Sequence, residues 1–237
     1  MTQAYNHDLD QNPANHQPLT PLSFLARSAA VFPEKLAVVH GPVRRDYATF
    51  YARCRQLASA LEGAGINRGD TVSALLLNTP AMLEAHYGVP MMGAVLNALN
   101  TRLDAAGIAF ILDHAEAKLV LVDSELAPLM GQALELMEGP RPQVIEYADP
   151  SVDIPGTGLG TDYEAFLAGG DPAYDWAMPG DEWDAISLNY TSGTTGNPKE
   201  MAGLSCDEEG VLNGVFSLDQ SCNILAFNGF SCNARIG

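Results

Sequence analysis

At 237 residues the chain has room for one large domain or two small ones, and its 47% hydrophobic content is that of an ordinary globular protein. Twelve Lys and Arg stand against 29 Asp and Glu, a formal net charge of −17. That excess repels the phosphates of nucleic acid and of anionic membranes, so neither is an expected partner, and any anionic small molecule needs a local positive site.

Residues 1–17 are polar, lack the apolar core of a secretory signal, and are expected to form a mobile N-terminal tail. Residues 21–31 predict a helix stopped by Pro33. Leu36–His40 reads as a strand. Thr49 is placed to cap a helix running to about Gly63, with Phe50, Cys54, Leu57 and Leu61 on one face. Thr71–Leu77 reads as a buried strand, and its apolar run Ala74–Leu77 is far too short to span a bilayer. A helical pattern follows from Pro80 to Met91, which Gly88 and Pro90 should kink or end.

Val95–Leu99 predicts a short strand, and Asp104 a cap for a helix through His114. Lys118–Val122 is a strand, Glu125–Met137 a helix, and Gln143–Tyr147 a strand. This β-α-β rhythm predicts an α/β fold with a parallel sheet between helical layers, where ligands gather at the carboxyl ends of strands. Residues 149–183 are rich in Pro, Gly and Asp, carry a short helix near Tyr163–Ala168, and read as a surface excursion before the core resumes.

The core resumes with a strand from Asp184 to Tyr190, followed by Thr191-Ser-Gly-Thr-Thr-Gly-Asn-Pro-Lys199. Gly193 and Gly196 let backbone N–H groups turn inward toward an anion. Thr191, Ser192, Thr194 and Thr195 add hydroxyl donors, and Lys199 supplies a point charge for phosphate oxygens. The spacing is not that of a Walker A loop, and Glu200 stands where a Mg²⁺-binding hydroxyl would be needed. A plain Gly/Ser/Thr turn is the bland alternative. The length of the run and its place after a strand favour a polyphosphate cradle.

Tyr190–Lys199 resembles the phosphate-binding signature of the AMP-forming acyl-CoA synthetases, within the adenylate-forming superfamily. Pro21–Ala29, Arg68–Val72, Asn78–Gly88 and Gly93–Arg102 also resemble this family, most of all its fatty-acid and methylmercaptopropionate–CoA ligase branch. The likeness covers residues 18–199. It implies the incomplete N-terminal domain of an adenylate-forming enzyme, and a ligase joining a carboxylic acid to CoA through an acyl-adenylate. It further implies ATP, Mg²⁺ and CoA as cofactors, Thr191, Ser192, Gly193, Thr194, Thr195, Gly196 and Lys199 as phosphate-binding residues, and room for a homodimer. No catalytic residue and no metal ligand is identifiable in this chain.

After Lys199 the likeness fades. The family continues with Gly, a strand and a histidine-containing turn; this chain has Glu200-Met-Ala before Gly203, and Cys206-Asp-Glu-Glu209 at the turn. Residues 200–237 are therefore expected to be a divergent tail, the mark of a frameshift, mis-splice, decayed gene or broken gene model. A chain of this kind is expected to be truncated and catalytically incomplete, with a non-catalytic nucleotide-binding or interaction fragment as the alternative.

Cys54, Cys206, Cys222 and Cys232 suit no zinc motif, and Cys54 fits a small core position, so the cytoplasm is the default location. His86 and Glu84 are two apart on a helix and face different sides, which argues for a packed or partly exposed histidine rather than a catalytic pair. His114, at a helix end, suits a C-terminal cation or acceptor. Asn97, Asn100 and Arg102 suggest loop hydrogen bonding. Asp181, Glu182 and Asp184 suggest a solvated acidic entry to the strand rather than a metal site.

Overall fold

The computed structural model describes residues 10, 12, 14–191 and 199–204, with Thr191 and 199–204 given as backbone. Most of the expected tail 1–17 and all of 205–237 lie outside the described residues. Fifteen elements are described. They begin with α1 (Pro21–Val31), β1 (Leu36–His40), β2 (Val43–Asp46), α2 (Tyr47–Gly63), β3 (Thr71–Leu75), α3 (Pro80–Met92), β4 (Val95–Ala98) and α4 (Ala105–His114). They continue with β5 (Leu119–Asp123), α5 (Ala127–Leu136), β6 (Gln143–Tyr147), β7 (Thr161–Asp162), α6 (Tyr163–Ala168), β8 (Ala185–Thr191) and β9 (Lys199–Leu204).

Seven strands form one sheet in the order β7-β6-β5-β3-β4-β8-β9, and β1 and β2 form a separate hairpin. Every neighbouring pair from β7 to β8 is parallel, as the βαβ rhythm predicts. The exception is β9, which runs antiparallel to β8.

Side chains alternate across the strands, so two cores form on opposite faces of the sheet. Val72, Ala74, Leu96, Leu119, Leu121 and Ile145 face α2 and α3. Leu75, Val120 and Val122 face α4 and α5, where Ile108, Ile111, Leu112, Met130 and Ala133 meet them. A third cluster joins α1, β1, α2 and α3 through Leu22, Leu25, Val38, Phe50, Cys54 and Tyr87. Cys54 is the small core residue the sequence suggests.

Two local expectations are corrected. Asp46, not Thr49, caps α2: its side chain accepts from the Thr49 amide at 2.8 Å, so Thr49 is the capped residue inside the first turn. Gly88 and Pro90 do not break α3, which runs on to Met92 and ends at Gly93 in the left-handed region, φ +86°. Pro90 lies in the last turn, where its missing N–H deprives only the His86 carbonyl of a partner. Gly88 is there for contact: a Cβ would lie 2.9 Å from the Cys54 carbonyl oxygen and 2.9 Å from Leu57 Cβ. The glycine lets α2 and α3 approach backbone to side chain.

Most of the excursion over residues 149–183 lies on the surface, but α6, where expected, buries Tyr163 and Leu167 in the core, and the segment is fastened along α2. The Arg55 guanidinium donates to the carbonyls of Ala173 and Tyr174, and Trp176 Nε1 donates to Tyr51 Oη at 2.7 Å.

Candidate functional site

β8 carries the chain to the carboxyl end of the parallel sheet and β9 brings it back. Thr191 and Lys199 are direct cross-strand partners at that end. Of the seven expected phosphate-binding residues, these two are placed, as the facing backbone positions of a strand-loop-strand. Ser192, Gly193, Thr194, Thr195 and Gly196 lie outside the described residues. The expected domain boundary at 199/200 falls inside β9.

The hairpin is held to the sheet at few points. β8 pairs with β4 only through Leu96↔Ser187 and Asn97↔Leu188. At its start, Asp184 takes an ion pair from Arg68, and Glu182 Oε1 accepts from the Leu19 amide at 2.6 Å. The acidic entry expected there thus anchors the strand through two of its three residues. Asp181 accepts from the Trp183 amide at 2.9 Å. At the carboxyl end, Tyr190 Oη lies 2.9 Å from Nδ1 of His114, the last residue of α4.

Asn97 departs from its expected loop role. It sits in β4, fully buried, and neither side-chain atom has a hydrogen-bond partner among the described residues. Its register neighbour on β3, Ser73, is also buried, with no partner for its hydroxyl among the described residues. Asn100 does bond within its loop, accepting from the Arg102 amide at 2.9 Å.

Glu84 gathers a buried cluster of charged and polar side chains, and its role escaped sequence reading. It is fully buried and accepts from Arg53 Nε at 2.6 Å, from Tyr163 Oη at 2.7 Å, and from Arg45. Arg53 also reaches Glu164 at 2.6 Å. Burial opposes the Arg53 charge, but these two carboxylates outweigh it and raise its pKa further. Arg45, Arg53 and Tyr163 lie far from Glu84 in sequence, so no local pattern marks the hub. His86 points elsewhere, donating to the Met82 carbonyl at 2.8 Å, and burial lowers its pKa. It is the packed histidine expected.

At the carboxyl ends of β5 and β6, Glu146 accepts from Thr157, Gly158 and Leu159 amides at 2.6–3.1 Å and from Ser124 Oγ at 2.9 Å. Burial pushes its pKa up, and the amides and hydroxyl outweigh that, leaving it lowered. Nearby Asp123 is buried, its Oδ2 has no hydrogen-bond partner among the described residues, and burial raises its pKa. His40 Nε2 lies 2.8 Å from Asp149 Oδ2 and 3.0 Å from Ser151 Oγ. Both contacts fall on one ring nitrogen, which is the pattern of a donor shared between two oxygens and not of a nucleophilic triad. No helix among the described residues is long and apolar enough to cross a membrane.

Residues 25–202 match the family model described as AMP-binding enzyme. The chain is 46% identical over 210 residues to acetate–CoA ligase CCL3 of Humulus lupulus, covering 81% of this chain and 36% of that protein. It is 45% identical over 203 residues to the peroxisomal acetate/butyrate–CoA ligase AAE7 of Arabidopsis thaliana, with the same coverage of each. Among solved structures it matches the N-terminal domain of FACL13 from Mycobacterium tuberculosis, with TM-score 0.66, 28% identity, and 79% and 44% of the two chains covered. It also matches the fold of the anthranilate CoA ligase AuaEII, with TM-score 0.70, 22% identity, and 82% and 36% covered. The chain thus spans about a third of the length of the curated relatives it matches. With the family model matching well over half of its residues, the chain belongs to the AMP-binding enzyme family.

Proposed function

We propose that Thr191–Lys199 cradles the β- and γ-phosphates of ATP, and that the protein to which this stretch belongs is an AMP-forming acid–thiol ligase. In that reaction a carboxylate attacks the α-phosphate to give acyl-adenylate and pyrophosphate, and the CoA thiol then displaces AMP. The carrying observation is the register of β8 and β9: Thr191 and Lys199 pair at the carboxyl end of the sheet, and the sequence between them holds three hydroxyl residues and two glycines. Backbone amides, hydroxyls and the lysine charge are a donor set that fits a triphosphate. They act by positioning and by offsetting charge. Mg²⁺ would neutralise the same phosphates, and no residue of this chain is assigned to it or to CoA.

Relatives named for acetate and butyrate favour a short-chain acid. The location divides between the cytoplasm expected from the sequence and the peroxisome in which AAE7 is named, and imaging of a fluorescent fusion decides. Self-association as a homodimer is tested by sedimentation.

Titration calorimetry of the 237-residue chain with MgATP tests the central reading. We expect measurable binding, lost or weakened at least tenfold by Lys199→Ala, without acyl-adenylate formation. Absence of binding, or indifference to Lys199→Ala, overturns the cradle. Carboxylate-dependent pyrophosphate release by this chain would show a working ligase rather than a nucleotide-binding unit.

A further inference from the structure

We infer that Tyr190 and His114 form a positioning pair that fixes where the chain leaves β8 and so orients the loop that follows. The inference rests on the phosphate-cradle reading and adds two residues to it, both outside the loop. Tyr190 is the residue immediately before Thr191, and β8 has no register pair with β4 beyond Leu188. The last stretch of β8 therefore needs another support on the side of the sheet's interior, and Tyr190 supplies it.

Its hydroxyl is 2.9 Å from His114 Nδ1. Its ring meets the imidazole edge to face, with centroids 5.8 Å apart and planes at 85°. The imidazole in turn stacks on Phe110, one turn earlier on α4, at 5.6 Å and 28°. Tyr190 also packs against the core on the α4 face. A helix whose inner face is buried through Ile108, Ile111 and Leu112, and whose outer face carries the exposed Phe110 and His114, thereby sets the position of the strand end. Because Thr191 and Lys199 are cross-strand partners, moving Tyr190 moves both sides of the loop's mouth. A loop whose donors are held in place before the ligand arrives binds more tightly than one that must be ordered on binding.

The hydrogen bond, rather than ring packing alone, makes this a directional device. Tyr190→Phe keeps the ring and removes only the hydroxyl. His114→Ala removes the imidazole, while His114→Asn keeps a polar atom near the place of Nδ1. With a net hydrogen-bond contribution of about 1 kcal/mol, MgATP affinity should fall about fivefold in Tyr190→Phe and in His114→Ala. The double variant should be no weaker than either, and His114→Asn should recover most of the loss.

The test is calorimetric titration of the full chain with MgATP, alongside amide hydrogen exchange at Thr191 and Lys199 without ligand. Weakened, non-additive binding together with faster exchange in Tyr190→Phe upholds the pair. Unchanged exchange in Tyr190→Phe overturns it, as does unchanged or simply additive binding. If the wild-type chain binds no MgATP, the cradle reading fails by itself. The exchange measurement then still decides whether Tyr190 and His114 hold the strand end.

Discussion

Replacing Glu84 with Gln tests whether the buried carboxylate holds the helical layer to the excursion. Glu84 has no exposure, and three side chains from β2, α2 and α6 converge on it: Arg45, Arg53 and Tyr163. Gln keeps the shape, removes the charge, and turns one acceptor oxygen into a donor that faces guanidinium donors. Removing one partner of a buried ion pair costs about 3–5 kcal/mol. Arg45 and Arg53 retain 14% and 17% side-chain exposure, and Arg53 keeps Glu164, which places the expected loss near the lower end. We expect about 3 kcal/mol, a large part of the typical 5–15 kcal/mol of a domain. At a urea slope of about 2 kcal/mol per molar, the unfolding midpoint should fall by about 1.5 M with the slope unchanged. Glu164→Gln is the control, because that carboxylate is 55% exposed and its loss should cost under about 1 kcal/mol. A Glu84→Gln midpoint no lower than that of Glu164→Gln would refute the hub.

Three further outcomes follow from the same structure. Gly88→Ala should destabilise by about 1–2 kcal/mol despite the better helix propensity of Ala, since its Cβ meets the Cys54 carbonyl at 2.9 Å; thermal unfolding should shift down by about 3–6 °C. Asn97→Val should stabilise by about 1–2 kcal/mol in urea, because it removes two buried polar atoms without partners; a loss of stability would mean that Asn97 has a partner such as a buried water. Glu146 has a folded pKa below its ordinary 4.5, so its contribution is full above that value and is lost as pH falls through the folded pKa. Stability measured from pH 6 to pH 3 should therefore fall less steeply in Glu146→Gln than in the wild type.

Much of the architecture was legible because it is encoded locally. The Asp104 cap and the helix ending at His114, the apolar strand β5, and the alternation of strand and helix all follow from side-chain period and capping chemistry. The misses come from interactions the period does not carry. Thr49 and Asp46 are both good caps three residues apart, and only the backbone of Asp46, extended at ψ 173°, decides between them. β2 is a four-residue strand whose sequence, Val-Arg-Arg-Asp, has little strand character, and it forms because β1 pairs with it. Gly88 looks like a helix breaker in sequence and is a contact residue in space. Glu84 is weighed in sequence only against His86, two positions away, and its partners Arg45, Arg53 and Tyr163 arrive from other elements.

The candidate site divides along the same line. Composition tells what the loop after Tyr190 can hold, because hydroxyls, glycines and one lysine are a donor set whatever surrounds them. It does not tell where the loop is held. β8 makes six register pairs with β9 and two, at its middle, with β4, and side chains fasten it beyond both. Arg68 and Asp184 fix one end, and His114 and Tyr190 the other. Both attachments join residues more than 70 positions apart, and His114, read from sequence as a helix-end group, gains its role only when α4 is laid beside β8. A charge-neutral change at either attachment, such as Tyr190→Phe, should therefore alter phosphate affinity while leaving every donor of the loop in place.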